Sequence, residues 1–358
     1  MSELRRDPLD QRWIIIAPER ARRPRGALGL APGPVEAVDP CPFCPGHEAL
    51  TPPEILALRD SAGHANGPGW RVRVFPNQFP ALTVEGESGQ HGDGPYDAMR
   101  GVGAHEVIVE SPVHDHDLSD LDMPQLRDVL LCYRDRLVDL YHDARLKYVL
   151  LFRNRGAAAG ATLDHSHSQL IATPVHPIRI SRKLDAFREH FRRKERCLCC
   201  DLLRHERHDG SRIVHDEGGF TTFAPYASRF PFELMITPRE HRWSFGELSR
   251  HEAESLARAL KDALLRIRLG LADPPYNIVL HAEPNLHAQP RRSGFWDTLR
   301  HDFHWQLMIY PRLAPVAGFE WGSGFHINPT PPEEAARHLR GVDVSEAAVA
   351  AWRAARPR

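Results

Sequence analysis

The chain has 358 residues with 46 lysines and arginines against 47 aspartates and glutamates, a net charge of −1, so it has no global basic field for nucleic acid or an acidic membrane. Hydrophobic residues make up 42% of it and the mean hydropathy is −0.44, an ordinary folded composition, long enough for one large domain or two of usual size. No run approaches the roughly 20 apolar residues of a membrane span, the first residues lack the apolar core of a signal peptide, and the expected location is the cytoplasm.

In chain order, residues 7–20 read as a turn and then a strand over Trp13–Ala17, followed by the compact basic loop Arg20-Ala-Arg-Arg-Pro-Arg25. Such a run is either a solvated face or a phosphate clamp, since guanidinium matches phosphate oxygens bidentately. Cys41-Pro-Phe-Cys44 follows in a Pro-rich loop, a spacing at which both thiolates reach one zinc ion while the other ligands come from afar. Strands are expected over Arg71–Phe75 and Glu106–Glu110, the second ending in Ser111-Pro-Val-His114-Asp-His116. Leu126, Val129, Leu130, Tyr133, Leu137 and Leu140 recur at helical spacing and predict a helix over Met123–His142. Cys132 falls on its apolar face as a small core residue.

The apolar run Tyr148–Phe152 predicts a buried strand. It leads into a loop of small residues with Gly156 and Gly160, then His165-Ser-His-Ser-Gln169, then a strand over Leu170–Ala172. Residues 165 and 167 fall on one side of an extended chain, which suits one histidine as metal ligand and the other as base or nucleophile. A basic helix is expected over Ser181–Glu195, ahead of Cys197-Leu-Cys-Cys200. Strands follow over Phe220–Phe223, Glu233–Thr237 and Tyr276–His281, with a helix over Leu248–Leu269 and a last strand within Phe303–Pro311. The six cysteines stand at 41, 44, 132, 197, 199 and 200. Five of them lie in two tight clusters, a pattern that points in a reducing compartment to metal rather than disulfides.

The later segments repeat the earlier ones. His167-Ser-Gln-Leu-Ile-Ala-Thr-Pro174 and His304-Trp-Gln-Leu-Met-Ile-Tyr-Pro311 match without a gap at His, Gln, Leu and Pro. Each half also carries an upstream cysteine pair and a histidine just past a Pro-containing strand end. A duplication is the simplest account, and in that alignment Asp302 stands opposite His165.

These pieces, with Phe75-Pro-Asn-Gln-Phe, Asn154-Arg-Gly-Ala-Ala-Ala-Gly and Gly318-Phe-Glu320, resemble the galactose-1-phosphate uridylyltransferase family of the histidine-triad superfamily, including its nucleotide-sugar phosphorylase relatives. The resemblance runs over nearly the whole chain. It implies an α+β fold of two histidine-triad-like halves whose strands join in one open, mainly antiparallel sheet flanked by helices, usually as a homodimer. The implied divisions are 1–180, 181–330 and a helical tail over 331–358, to which a surface packing role falls.

By the same resemblance, His167 is the nucleophile that takes a nucleotidyl group from an NDP-sugar, and Gln169 bonds the phosphoryl oxygens where hydrolytic relatives have a third histidine. The loop amides around Ala157–Gly160 can approach the phosphates, with Gly156, Gly160 and Ala161 among the substrate-binding positions, and Thr162 stands where the family commonly has Ser. Asn77, Asn154, Arg20 and Arg23 match nucleotide-binding positions, and Phe319 and Glu320 match a pair that contacts the sugar. Two structural zinc ions are implied, one on Cys41, Cys44, His114 and His165, the other on Cys197, Cys200, His241 and His304. His116 is a rival for His114 and Cys199 a spare thiol. Iron is not expected, because the late His-x-His of the iron-bearing members is replaced by Gln306 and Met308. The leading expectation is a ping-pong uridylyl exchange between UDP-glucose and galactose 1-phosphate. A phosphorylase acting on ADP-glucose or another NDP-sugar is the alternative, and a non-catalytic zinc-stabilised binding module the third.

Overall fold

A computed structural model describes residues 3–9, 12–16, 18, 39–59, 63–288 and 296–355. In chain order, β1 (Glu3–Arg6) and β2 (Trp13–Ile16) form a hairpin, followed by β3 (Leu56–Arg59), β4 (Trp70–Pro76) and a small exposed ribbon of β5 (His91–Asp93) and β6 (Tyr96–Ala98). Then come β7 (Ala104–Val109), α1 (Met123–Leu140), β8 (Tyr148–Arg155) and β9 (His167–Thr173). The second set is α2 (Ile178–Lys194), α3 (Leu198–Asp209), β10 (Ile213–Glu217), β11 (Phe220–Phe223), β12 (Leu234–Pro238), α4 (Arg250–Gly270), β13 (Tyr276–His281), α5 (Leu299–Asp302) and β14 (Gln306–Pro311). The chain ends with α6 (Gly318–Ser323), β15 (His326–Asn328), α7 (Pro332–Arg340) and α8 (Glu346–Ala354).

Ten strands make one antiparallel sheet in the order β10-β11-β12-β14-β13-β8-β9-β7-β4-β3. Numbered within its own half, each set of five runs fourth, fifth, third, second, first outward from the β8–β13 seam, with a long helix between its third and fourth strands. The duplication read from the sequence is therefore a duplication of topology. α1 starts on Asp122, whose carboxylate accepts from Gln125 N, and α4 on a Ser249–Glu252 capping box, the reciprocal arrangement that satisfies free N–H groups at a helix start. Their apolar stripes, Leu126, Val129 and Leu130 on α1 and Leu256, Leu260 and Leu264 on α4, are buried in one continuous core with the sheet.

Several elements differ from expectation for physical reasons. β8 runs on past Phe152 because β13 keeps pairing with it, Asn154 opposite Asn277 and Arg155 opposite Tyr276. The division expected after residue 180 falls inside α2. α7 buries one face in the core and leaves the other exposed. Ala335, Ala336 and Leu339 are buried, and Glu333 accepts from Arg5 and Arg212, each at 2.8 Å. Among the described residues, no helix is long and apolar enough to cross a membrane.

Candidate active site and metal sites

Cys41 and Cys44 lie in a tight turn closed by Cys44 N to Cys41 O, so both thiols point to one spot. There they meet His114 from the segment after β7 and His165, two residues before β9. His114 Nδ1 and His165 Nδ1 stand 3.4 and 3.5 Å from Cys44 Sγ, and His165 Nδ1 is 3.7 Å from Cys41 Sγ. A tetrahedral ion with bonds of about 2.3 Å to sulfur and about 2.0 Å to nitrogen separates its corners by about 3.5 Å, so these four donors fit such an ion. His165 Nε2 donates to Ser111 O at 2.7 Å, which leaves Nδ1 as the lone pair facing the thiols. Burial lowers that imidazole to about 4, the neutral state a ligand requires. His116 is outside the group.

The second group repeats the first. Cys197 caps α3 and Cys200 sits one turn on. His304 Nδ1 lies 4.0 and 3.6 Å from their sulfurs, and His241 Nδ1 lies 3.6 Å from Cys200 Sγ. His241 Nε2 donates to Arg300 O at 2.9 Å. Cys199 turns away, its Sγ 4.0 Å from Thr237 Oγ1.

This correspondence corrects the gapless alignment of the two halves. His304 takes the place of His165, not of His167. The histidine rings cross alike in the two groups, His114 on His165 at 86° and His241 on His304 at 86°. Each ligand precedes its strand by two residues, so Gln306 occupies the place of His167, and its amide bonds the same carbonyl: Gln306 Nε2 to His304 O at 3.1 Å, His167 Nδ1 to His165 O at 2.8 Å. A shift of two residues leaves every side chain on its own face, so the apolar pattern fits either register. In the second half α2 covers the sheet here, with Lys183 Nζ on Gln306 Oε1 at 2.5 Å and on His281 Nδ1 at 2.6 Å. The first half leaves the same place open.

That opening is a cavity of about 1990 Å³ whose walls include His165, His167, Asn154, Gly156, Arg229 and Glu320. His167 is 6% exposed and stands edge-on to Phe43, centroids 5.2 Å apart. Because a carbonyl only accepts, Nδ1 carries the proton and Nε2 keeps a lone pair. Burial holds this imidazole below its ordinary pKa, against the opposing pull of the His165 carbonyl and of Glu110. The result is a neutral ring of fixed tautomer, which is a nucleophile at neutral pH.

The loop after β8 is shaped by two glycines with positive φ, Gly156 at 77° and Gly160 at 86°. A Cβ on Gly156 would also meet Pro275 Cβ at 3.0 Å. The N–H groups of Ala159 and Ala161 bond Gly156 O, and that of Gly160 bonds Ala157 O. The expectation that the loop amides around Ala157–Gly160 approach a phosphate is thereby narrowed: those with no partner inside the turn are on Ala157 and Ala158, both in the cavity wall. Thr162 is exposed, and Gly160, Ala161 and Thr162 are not in that wall. Asn277 of β13 ties the loop down, its Nδ2 donating to Asn154 Oδ1 at 2.8 Å and Ala159 O at 2.7 Å.

Gln169, on the same side of β9 as His167, lies beside the cavity wall rather than in it. Ala81 N donates to His105 Nδ1 at 3.1 Å, so His105 Nε2 carries a proton and donates to Gln169 Oε1 at 2.8 Å. The Gln169 amide is thereby oriented with its N–H₂ end as the free donor. Asn77 adjoins this pair, its Nδ2 3.2 Å from His105 Nε2. Glu320 lines the cavity from α6, whereas Phe319 is 48% exposed and outside its wall. Arg20 and Arg23 lie outside the described residues. Asn277 and His105 carry no motif that would single them out; only the strand register brings them to the site.

Residues 1–177 match the sequence profile described as galactose-1-phosphate uridyl transferase, N-terminal domain, and residues 183–340 that of its C-terminal domain. An ADP-glucose phosphorylase of Arabidopsis thaliana is 37% identical over 347 residues, 96% of this chain and 93% of that protein. A galactose-1-phosphate uridylyltransferase of Thermotoga maritima is 29% identical over 352 residues, 96% and 99% of the two chains. The crystal structure of an ADP-glucose phosphorylase from Arabidopsis thaliana with bound ADP-glucose matches with a TM-score of 0.81 at 33% identity, covering 96% of this chain and all of that one (100%). The chain belongs to the galactose-1-phosphate uridylyltransferase family.

Proposed function

We propose that the chain moves a nucleotidyl group from an NDP-sugar to a second phosphate through His167. The observation that carries this is the ring's fixed tautomer, Nδ1–H on the His165 carbonyl, with Nε2 left to react. In the first step Nε2 forms a bond to the α-phosphorus while the bond to the sugar 1-phosphate oxygen breaks. In the second, an oxygen of the acceptor phosphate attacks the same phosphorus and the imidazole leaves with its electron pair. Splitting the displacement this way needs one pocket for both phosphates in turn. Gln169, with its N–H₂ end free, stabilises charge on the phosphoryl oxygens. Ala157 and Ala158 offer backbone N–H groups, Asn154 in the cavity wall contacts the nucleotide, and Glu320, in the same wall, the sugar.

For donor and acceptor, ADP-glucose with inorganic phosphate is supported by the 37% identity and the TM-score of 0.81 to the Arabidopsis thaliana ADP-glucose phosphorylase. UDP-glucose with galactose 1-phosphate is the second reading, supported by the family's two domain profiles. The two metal groups hold zinc, the ion that closed thiolate–imidazole tetrahedra favour, and with four protein ligands each they serve the fold rather than the reaction. A homodimer is part of the same reading, with the 80% exposed Trp321 of α6 as a surface that a partner would cover, and its expected location is the cytoplasm. A panel of ADP-, UDP- and GDP-glucose against phosphate and galactose 1-phosphate, with trapping of the labelled histidine, tests it. No adduct from any donor would refute the nucleotidyl-transfer reading.

A further inference from the structure

The strand segment that presents His167 is held from behind by one buried carboxylate. Ser166 and Ser168 flank His167, and extended geometry turns both hydroxyls to the side opposite its imidazole. Both donate to Glu110, Ser166 Oγ to Oε2 at 2.6 Å and Ser168 Oγ to Oε1 at 2.5 Å. The Tyr133 hydroxyl of α1 donates to Oε1, Arg153 Nε of β8 donates to Oε2 at 2.9 Å, and the Glu110 N–H reaches Ser166 O at 3.1 Å. Arg153 Nη2 adds a bond to Ser166 Oγ at 2.9 Å and another to Asp117 Oδ1 at 2.7 Å. Glu110 and Ser168 are 0% exposed, Ser166 2% and Arg153 3%.

A buried ion pair of this kind is a weak device for stability, because well-packed apolar side chains often serve the fold as well or better. Its distinctive property is direction. Hydroxyl-to-carboxylate bonds are short and angle-dependent, and two of them, one on each side of His167, fix the height and roll of the backbone that carries the imidazole. Dispersion packing restrains neither as tightly. In-line displacement at phosphorus is sensitive to such placement. We propose that Glu110 is a positioning residue for His167, acting through the Ser166 and Ser168 hydroxyls. This rests on His167 being the nucleophile.

The test uses the full chain with Ser166→Ala/Ser168→Ala, which leaves the Glu110–Arg153 pair in place, and Glu110→Gln as the second variant. The rate and the amplitude of nucleotidyl-histidine formation are measured in single turnovers with ADP-glucose and UDP-glucose. Metal content and amide hydrogen exchange over residues 165–169 are measured alongside. The double variant should keep its metal and the full amplitude while the rate constant falls by about tenfold to a hundredfold, the cost of a displacement of about 1 Å or less. The KM should stay within about threefold, since ground-state binding is not touched, and exchange over 165–169 should speed up by about tenfold. Glu110→Gln should shift rate and exchange the same way. An unchanged rate constant, with or without a loss of amplitude, would assign the network to the fold alone and overturn the proposal. If the unmodified protein formed no adduct, the nucleotidyl-transfer reading would fail separately, and unchanged exchange over 165–169 would then overturn the positioning role as well.

Discussion

Asn277 donates to Asn154 Oδ1 across 2.8 Å, which puts a side chain of the second half in control of a loop of the first. With its companion bond to Ala159 O at 2.7 Å, it holds the turn whose Ala157 and Ala158 line the cavity. Asn277→Ala removes both bonds and leaves the Ala159 carbonyl short of a partner, a loss of about 1–3 kcal/mol. The expected result is a kcat/KM lower by about tenfold to a hundredfold and a melting temperature lower by a few degrees, checked by steady-state kinetics and calorimetry.

His167→Ala should abolish adduct formation altogether, while metal content and the circular dichroism spectrum stay as in the unmodified protein. The ring is not a ligand of either metal group, so its loss should take the proposed nucleophile and leave both metals. A labelled histidine trapped in this variant would mean another residue attacks.

Metal analysis should find two zinc ions per chain, one lost in Cys41→Ser and one in Cys200→Ser. The two losses should differ in consequence. His165 belongs to the first group and its carbonyl is the acceptor for His167 Nδ1, so Cys41→Ser should slow adduct formation by about tenfold or more. Cys200→Ser should lower thermal stability and leave the adduct rate within about threefold of normal, because the second group touches no reacting side chain.

The pH dependence follows from the direction of one shift. Burial holds the His167 pKa below the ordinary 6.5, and the neutral ring is the reactive form. A lowered pKa keeps that form through pH 7 and moves its loss to more acid solution. Adduct formation should therefore stay level through neutral pH, begin to fall only in more acid solution than for a free imidazole, and then fall towards a tenfold loss per unit below the pKa, as measured in single turnovers.

Gln306→His should not create a second reactive histidine. The new ring would stand where His167 stands in the first half, but Lys183 and His281 already fill the space in front of it. The stoichiometry should stay at one nucleotidyl group per chain, read by mass spectrometry of the trapped adduct.

The sequence carried the site in uneven measure. The cysteine clusters pointed to metal by their spacing, the family resemblance supplied the histidines, and the geometry set aside the rivals His116 and Cys199; the doubled topology followed from the repeated order of strands and cysteine pairs. The register between the halves was not legible. Strand patterns repeat every two residues, so the gapless match of His167 to His304 was as good as the correct pairing of His165 with His304, and only the shared ligand geometry decides. Asn277, His105 and Glu110 were invisible for another reason: the first two sit in ordinary strands and Glu110 directly follows one, and the importance of each comes from partners more than 20 residues away.

The β8–β13 seam has a further consequence. The halves are sewn together by backbone hydrogen bonds along strands of eight and six residues, and backbone pairing is indifferent to which side chains a half has kept or lost. A chain cut between β9 and α2 would yield two fragments, each with a long unpaired inner strand, the kind of edge that recruits any available partner. Made apart, they would aggregate. Made together, each is the other's natural cap, and nucleotidyl transfer regained on mixing would report their reunion.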